Sequence, residues 1–276
     1  MNKKGDLIMN KKSDYKIEGY ITNLGLYNEG LLVGKYISFP ITNTELQKVL
    51  NEIGINEEYE EWFFTDYDGE YPKRVYDMLR EYTSISELNK IALALEKVNE
   101  AGTEEAFEAF LDIGNEFYAS CANAINGNYL FIDGNSYYDL ASFWVDALGG
   151  INELSNDTLE CFFDYEALGR DVRLEYYAED DMPETCGEYW CGDENATDFE
   201  IGAEIVAQLG FEGISNNDYY FDYKSSGKAI YDEGMYVFSE NGIIDCSEFV
   251  DRLAIDFEEE LSAELSEMIL ESEEVR

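Results

Sequence analysis

The chain has 276 residues, 45% of them hydrophobic and 15% aromatic, which is enough apolar material for two or three small folded domains. Its 18 Lys and Arg oppose 61 Asp and Glu, so the formal net charge is −43, and this composition argues against direct binding to nucleic-acid phosphates. The chain has no His, the usual general base and the commonest metal ligand, so we expect no catalytic site, no metal site and no cofactor.

The number of cysteines and the lengths of the apolar runs indicate in which cellular compartment the protein is found. Five Cys are an odd number for disulfides, and no run is apolar enough for a secretory or membrane segment, so we expect a reducing cytoplasm and no membrane partner. Cys186 and Cys191 could hold a metal, but no second Cys pair stands in register and the chain has no His, so we expect buried or idle thiols there. The Lys-rich residues 1–16 predict a flexible basic tail, in which Met9 could be a second start.

The segment after this tail predicts two strands. Apolar and polar residues alternate from Ile17 to Thr22, as in a strand with one buried face. Turn signals follow at 23–25 and 28–30, and a second apolar run extends from Leu31 to Phe39.

A pattern that occurs three times begins after this second strand. Thr42 and Glu45 form a capping box, apolar residues follow at helical spacing, and Gly54 stands where such a helix would end. An acidic link leads to the aromatic run 62–67, which predicts a strand that ends in Asp66 and Tyr67.

Residues 83–128 predict a small helical domain between the first and second copies. Ser84 and Glu87 form a further capping box, and an apolar stripe follows. Gly102 breaks this helix, Thr103 opens the next one, and the apolar spacing continues to residues 126–128.

The second and third copies share their intervals. Capping boxes open both copies, Ser136 with Asp139 and Thr197 with Glu200. We therefore expect residues 197–240 to repeat residues 136–180 as a helix followed by antiparallel strands.

An aromatic segment closes each of these two copies. The word Phe-Asp-Tyr occurs at residues 163–165 and again at 221–223, with Gly169 and Gly227 at the same distance beyond it. Because side chains alternate across a strand, these segments would bury their aromatic rings and expose Asp164 and Asp222. The plainer interpretation is an αβ packing unit with a solvated face.

A last helix follows residues 243–244. Asp245 and Glu248 form its capping box, and an apolar stripe with an acidic opposite face predicts an amphipathic helix. It would either pack on the third copy or serve as an interaction helix.

These patterns predict an α+β fold class: an elongated chain of small domains, with antiparallel sheets, packed helices and one small helical domain. The predicted segments are a flexible tail at 1–16, an N-terminal α+β domain at 17–82, a helical domain at 83–135, an α+β domain at 136–194, and a C-terminal α+β repeat at 195–276 that ends in a long acidic helix.

Several stretches of sequence are similar to one known family. YITNLGLYNEG at 20–30, EYTSISELN at 81–89 and FDYEALGRD at 163–171 resemble the ArdA antirestriction proteins, as do Gly34, Tyr59-Glu60-Glu61 and Asp66-Tyr67. The resemblance covers roughly residues 17–175. It implies an acidic, elongated DNA mimic that occupies the DNA-binding groove of type I restriction-modification enzymes in a bacterial host cell. Family members are usually dimers and usually end soon after the second aromatic segment, whereas about 100 residues follow here.

The net charge of the chain is similar to that of a short DNA duplex, as a DNA mimic requires. Duplex DNA carries one charge per ~1.7 Å of axis, so a net charge of −43 corresponds to roughly 73 Å, or about 21 base pairs. The expected partner is a type I enzyme, through its specificity and methyltransferase subunits, and a homodimer is conceivable. The candidate phosphate mimics are Glu57, Glu58, Glu60, Glu61, Asp66, Asp68, Glu104, Glu105, Glu108, Asp112, Glu116, Asp164, Glu166 and Asp222.

Other uses of the carboxylates stay open at this point. Residues 66–70 resemble a calcium loop only loosely, because the glycine is fourth instead of sixth and no Glu stands at the twelfth position. Paired carboxylates could be catalytic, but among 61 acids close pairs arise by chance. The alternative function is an acidic protein-binding or calcium-binding structural module, in which the charge serves solubility.

Overall fold

The computed structural model describes residues 14–178 and 195–274. The Cys186–Cys191 pair and all but the last three residues of the predicted basic tail lie outside these ranges. Contacts divide the described residues into two units. Unit 1 holds those up to Leu130 together with those from Cys246 onward, and unit 2 holds those from Phe131 to Asp245.

Helices and two small sheets make up the described part, so the predicted α+β class is confirmed. The strands are β1 Lys16–Asn23, β2 Gly34–Phe39, β3 Trp62–Glu70, β4 Leu130–Ile132, β5 Tyr236–Phe238 and β6 Ile243–Asp245. The helices are α1 Leu24–Asn28, α2 Asn43–Glu52, α3 Lys73–Tyr76, α4 Ile85–Ala101, α5 Glu104–Asp112, α6 Phe117–Asn126, α7 Tyr137–Leu148, α8 Asn156–Phe162, α9 Tyr165–Ala178, α10 Asp198–Leu209, α11 Tyr223–Glu233 and α12 Leu253–Glu274.

Unit 1 contains an antiparallel sheet with β1 between β2 and β3. The alternation in β1 sends Ile17 and Ile21 into the core, where both are fully buried with Phe64 of β3. Gly19 lies between them, and a Cβ there would stand 2.9 Å from the Phe64 ring, so the close approach requires glycine. The predictions of two strands before residue 40 and of an aromatic strand after the acidic link are confirmed.

Three buried asparagines join the helices of unit 1 to distant segments. Asn89 of α4 accepts a hydrogen bond from the Ile41 amide and donates one to the Ile41 carbonyl. Asn99 makes the same pair of bonds with Tyr15, and Asn123 of α6 makes it with Val250. A carboxamide can satisfy both backbone groups of one residue at once, so each asparagine anchors an irregular segment that would otherwise bury unpaired polar groups.

The C-terminal helix belongs to unit 1. α12 packs against α6, α4 and α2, and Lys97 of α4 forms ion pairs with Glu260 and Glu264. The prediction that it packs on the third copy is therefore wrong, and so is its predicted start, because Asp245 is the last residue of β6 and α12 begins at Leu253. The isoleucines at 243 and 244 are fully buried, and their burial in a sheet overrides the local capping signal.

Unit 2 contains the second and third copies, named here repeat 2 (residues 136–178) and repeat 3 (residues 197–233). The capping boxes at Ser136 and Thr197 are complete, and α7 and α10 end at Gly149 and Gly210, as predicted. A short 3-10 helix follows each of these helices, at 151–153 and 211–213. The same order of elements thus recurs in both repeats.

The predicted aromatic strands of both repeats are wrong. Phe162 ends α8, and Phe221 follows a 3-10 helix at 217–220, so the only strand-like feature at these positions among the described residues is one antiparallel bridge between Phe163 and Phe221. The Asp164 amide donates to the Tyr220 carbonyl at 2.6 Å, and the Asp222 amide donates to the Phe162 carbonyl at 2.7 Å. These reciprocal bonds relate the two repeats by an approximate two-fold axis.

Each repeat packs its last helix on the first helix of the other repeat. α9 lies against α10, and α11 lies against α7. Glycines permit both contacts, because a Cβ at Gly169 would lie 1.7 Å from the Asp198 carbonyl oxygen and one at Gly227 would lie 1.7 Å from that of Tyr137. The matching glycines of the sequence pattern therefore mark interlocked helices.

Candidate acidic interaction surface

The outer face of the unit 1 sheet carries a group of carboxylates. Asp66, Asp68 and Glu70 occupy alternate positions of β3 and are exposed. Glu18 of β1 stands opposite Asp68 in the register. We call these four residues the acidic sheet face. Alternate residues of a strand are about 6.8 Å apart, so the sheet holds these charges at a regular interval.

A tyrosine from the far edge of the sheet holds Asp66. Tyr36 of β2 is aligned with Tyr20 of β1, which is aligned in turn with Asp66 of β3. The Tyr36 hydroxyl donates to Asp66 Oδ2 at 2.6 Å, and its ring meets that of Tyr20 edge to face at 4.9 Å. The hydrogen bond to Asp66, followed by desolvation, raises the pKa of Tyr36 to about 12. The phenol therefore stays a neutral donor at physiological pH.

The acidic link before β3 has a defined conformation. Its carboxylates, named together the acidic link, are exposed: Glu57, Glu58, Glu60 and Glu61. Asn56 Oδ1 accepts from the amides of Glu58 and Tyr59, and the Asn56 amide donates to the Tyr59 carbonyl. The Tyr59 ring packs against the backbone of Gly25, and its hydroxyl donates to Glu29 at 3.0 Å.

The helical candidates of unit 1 divide by burial. On α5, Glu108 and Asp112 are exposed and Glu105 is half-buried, while Glu116 is exposed just before α6. Their spacing along α5 places the first three on one side of the helix. Glu104 is only 6% exposed, so its carboxylate lies inside the core and not on this surface. The sequence could not predict which of the adjacent glutamates Glu104 and Glu105 is buried, because the two residues are of the same type.

Two of the candidates in unit 2 are helix caps. Asp164 Oδ1 accepts from the Ala167 amide at the start of α9, and Asp222 Oδ1 accepts from the Ser225 amide at the start of α11. The Ser225 hydroxyl also donates to Asp222, and these bonds lower the pKa of that carboxyl. Both side chains are exposed, as expected, but the expectation that they lie on a strand face is wrong. Glu166 is exposed in the first turn of α9.

The ion pairs of the described residues involve other carboxylates. Their acidic partners are Asp14, Glu52, Asp198, Asp232, Glu260 and Glu264. Among the described residues, no Lys or Arg forms an ion pair with the acidic sheet face or the acidic link, although Lys16, which pairs with Asp14, stands opposite Glu70 in the strand register. Sequence reasoning missed Glu18, Glu29 and Glu70. Strand register brings Glu18 beside Asp68, and the Tyr59 hydroxyl links Glu29 to the acidic link. Glu70 follows Asp68 by two residues in β3, so the strand alternation could have found it.

Residues 14–178 and 195–274 contain neither a candidate metal cluster nor a candidate membrane span. No group of three or more His, Cys, Asp or Glu side chains there is arranged to hold a metal ion. Asp66 and Asp68 lie in an extended strand, with Gly69 paired to Ile17, instead of in a calcium-binding loop. In the same ranges, no helix is both long enough and apolar enough to cross a membrane.

Comparison with known proteins gives one result. Residues 19–182, more than half of the chain, match the family model described as Antirestriction protein (ArdA). No curated protein sequence matches the chain. The matched region contains the whole acidic sheet face except Glu18, and it contains the complete acidic link.

Proposed function

The chain belongs to the ArdA antirestriction family, and on that premise we propose that it inhibits type I restriction-modification enzymes as a DNA mimic. The observation that carries the proposal is the acidic sheet face, a set of three exposed carboxylates and the half-buried Glu18 fixed on a three-stranded sheet. A flexible polyanion would lose conformational entropy on docking, whereas charges on a packed sheet are already ordered.

The proposed mechanism is competition for a basic groove. The specificity and methyltransferase subunits bind DNA through positive charge, and a chain of net charge −43 would be drawn to the same groove. Inhibition of this kind is stoichiometric and involves no chemical step. Because the target works on DNA inside bacteria, we place the inhibitor in the bacterial cytoplasm.

A competition experiment tests the proposal. A purified type I enzyme is mixed with labelled duplex DNA, and the protein is titrated in at several salt and DNA concentrations. We expect excess DNA to relieve the inhibition, and we expect affinity to fall with salt, because the screening length shrinks from about 8 Å at physiological ionic strength to about 3 Å at 1 M. Inhibition that excess DNA cannot relieve, or that ignores salt, would reject mimicry.

Two charge-matched variants locate the surface. One replaces the acidic sheet face, with Glu18→Gln, Asp66→Asn, Asp68→Asn and Glu70→Gln. The control removes the same number and kinds of charge from exposed positions near the C-terminus, with Asp251→Asn, Asp256→Asn, Glu259→Gln and Glu267→Gln. We expect the first variant to weaken inhibition and to make it less sensitive to salt, because fewer charges would contact the target. Equal losses in both variants would mean that only net charge matters.

A further inference from the structure

Tyrosine hydroxyls donate to carboxylates at five places in the described residues. The pairs are Tyr15–Glu108 at 2.5 Å, Tyr36–Asp66 at 2.6 Å, Tyr118–Glu87 at 2.9 Å, Tyr59–Glu29 at 3.0 Å and Tyr220–Asp171 at 3.3 Å. Tyrosine is more abundant than the basic residues that usually pair with carboxylates, since the chain has 22 Tyr and 18 Lys and Arg. Tyrosine is thus a recurrent partner of the acidic side chains.

The chemistry of the donor decides what such a partner does. Lys or Arg would orient a carboxylate strongly, but its positive charge would cancel the negative charge that a DNA mimic must present. A phenol donates one hydrogen bond and is neutral at physiological pH. It can therefore fix the direction of a carboxylate and leave the full charge exposed.

The Tyr36–Asp66 pair shows this arrangement most clearly. Strands lie about 4.8 Å apart, so a bond from β2 to β3 must cross the whole width of β1. Tyr36 crosses it by lying over Tyr20, and its hydroxyl ends on Asp66 in the same cross-strand row. Tyr36 is 42% exposed, so the pair lies on the surface and does not contribute to the core.

The Tyr59–Glu29 pair is a second, independent case. Tyr59 lies in the middle of the acidic link, and its bond to Glu29 ties that link to the residue that ends α1. A Cβ at Gly25 would lie 2.2 Å from the Tyr59 ring, so the ring is seated against the backbone there. With the ring held there, the hydroxyl bond to Glu29 links the middle of the acidic link to the end of α1.

We propose that Tyr36 and Tyr59 are positioning residues, which orient the acidic sheet face and the acidic link without neutralising them. The proposal rests on the proposed function as a DNA mimic. The role belongs to the hydroxyl and not to the ring, and it is exerted through Asp66 in one case and through Glu29 in the other.

Removal of single hydroxyl groups tests the proposal in the full chain. Tyr36→Phe keeps the ring and the net charge, and we expect about two- to tenfold weaker inhibition of the type I enzyme, the cost of ordering a released side chain on docking. The salt dependence should keep its slope, since no charge is lost. Tyr59→Phe should behave in the same way. Tyr82→Phe is the matched control, because Tyr82 is 70% exposed and its hydroxyl has no protein partner among the described residues.

A double-mutant cycle separates positioning from a merely structural effect. Tyr36→Phe should weaken inhibition in the original chain but add nothing in a chain that already carries Asp66→Ala. A structural role would produce the same loss in both backgrounds, and that result would overturn the proposal. Equal inhibition by Tyr36→Phe, Tyr59→Phe and the unmodified chain would overturn it as well.

An NMR titration of the tyrosine ring carbons tests the hydrogen bond apart from inhibition. We expect Tyr36 to titrate near pH 12 in the original chain and closer to the usual tyrosine value of about 10 after Asp66→Ala. Normal titration of Tyr36 in the original chain would overturn the proposal. An original chain that does not inhibit at all would reject both proposals, and a raised Tyr36 pKa would then show that the function was wrong and not the hydrogen bond.

Discussion

Replacement of Phe163 by Ala should lower the free energy of unfolding of unit 2 by about 3–5 kcal/mol. Phe163 is 6% exposed, and its ring centroid lies 5.1 Å from that of Phe211 and 5.2 Å from that of Tyr165. Its backbone is fixed by the bridge to Phe221. The walls of the resulting cavity therefore cannot collapse easily, which places the cost in the range for a fully buried ring.

Hydrogen exchange measured on peptides of unit 2, together with urea denaturation, gives this free energy. Phe199→Ala is the control, since it removes the same ring from a side chain that is 55% exposed, and it should cost about 1 kcal/mol or less. If Phe163→Ala and Phe199→Ala cost the same, Phe163 does not fill the junction of the two repeats. We also expect Phe163→Ala to weaken inhibition if Glu166 and its neighbours belong to the docking surface.

Three further changes test other parts of the structure. Gly227→Val should lower the thermal unfolding midpoint, because its side chain would collide with the carbonyl oxygen of Tyr137, and an unchanged midpoint would contradict the interlocked packing of α11 on α7. Asn123→Ala should cost about 1–3 kcal/mol for each buried group of Val250 that it leaves unpaired, measured by urea denaturation, and a loss within error would mean that water replaces the side chain. Asp222 has a lowered pKa in the folded state, so its cap stabilises above the usual Asp pKa of about 3.9 and is lost as pH falls through the lower folded value; a titration of stability against pH should show a shallower acid decline in Asp222→Asn.

Local capping signals predicted three helix starts correctly, although the signal at Asp245 and Glu248 did not. The capping boxes at Thr42, Ser136 and Thr197 each mark a helix start, and both partners of each box are bonded in the structure. These signals work because the bonds that they predict join residues only three positions apart. The alternation in β1 was also readable, since one of its faces is buried and the other is not.

The aromatic segments of repeats 2 and 3 could not be predicted in the same way. Phe-Asp-Tyr has the composition of a strand, and its first copy near Asp66 is one. At residues 163–165 and 221–223, however, the aspartate caps the following helix, so the chain turns after a single bridge. The competing principle is helix capping, and tertiary contact between the repeats decides in its favour.

The surface was predictable in composition but not in arrangement. Asp66 and Asp68 were identified from the sequence, but nothing local places Glu18 opposite Asp68 or leads Tyr36 across β1. Such neighbours depend on strand register, which is set by long-range pairing. Glu104 was misjudged for a related reason, because only the packing of α5 determines which of its first two carboxylates turns inward.

The acidic residues of the two units differ in the negative electrostatic potential that they present to a partner. Asp222 caps α11, where the partial positive charge of the helix N-terminus offsets part of its negative charge, and Asp164 lies in the same relation to α9. Asp66 accepts its hydrogen bond from a neutral phenol, and the β-sheet beneath it has only a small net dipole. Equal numbers of carboxylates in the two units therefore do not give equal attraction. The sheet face of unit 1 should dominate docking, which is why it is the first surface to neutralise.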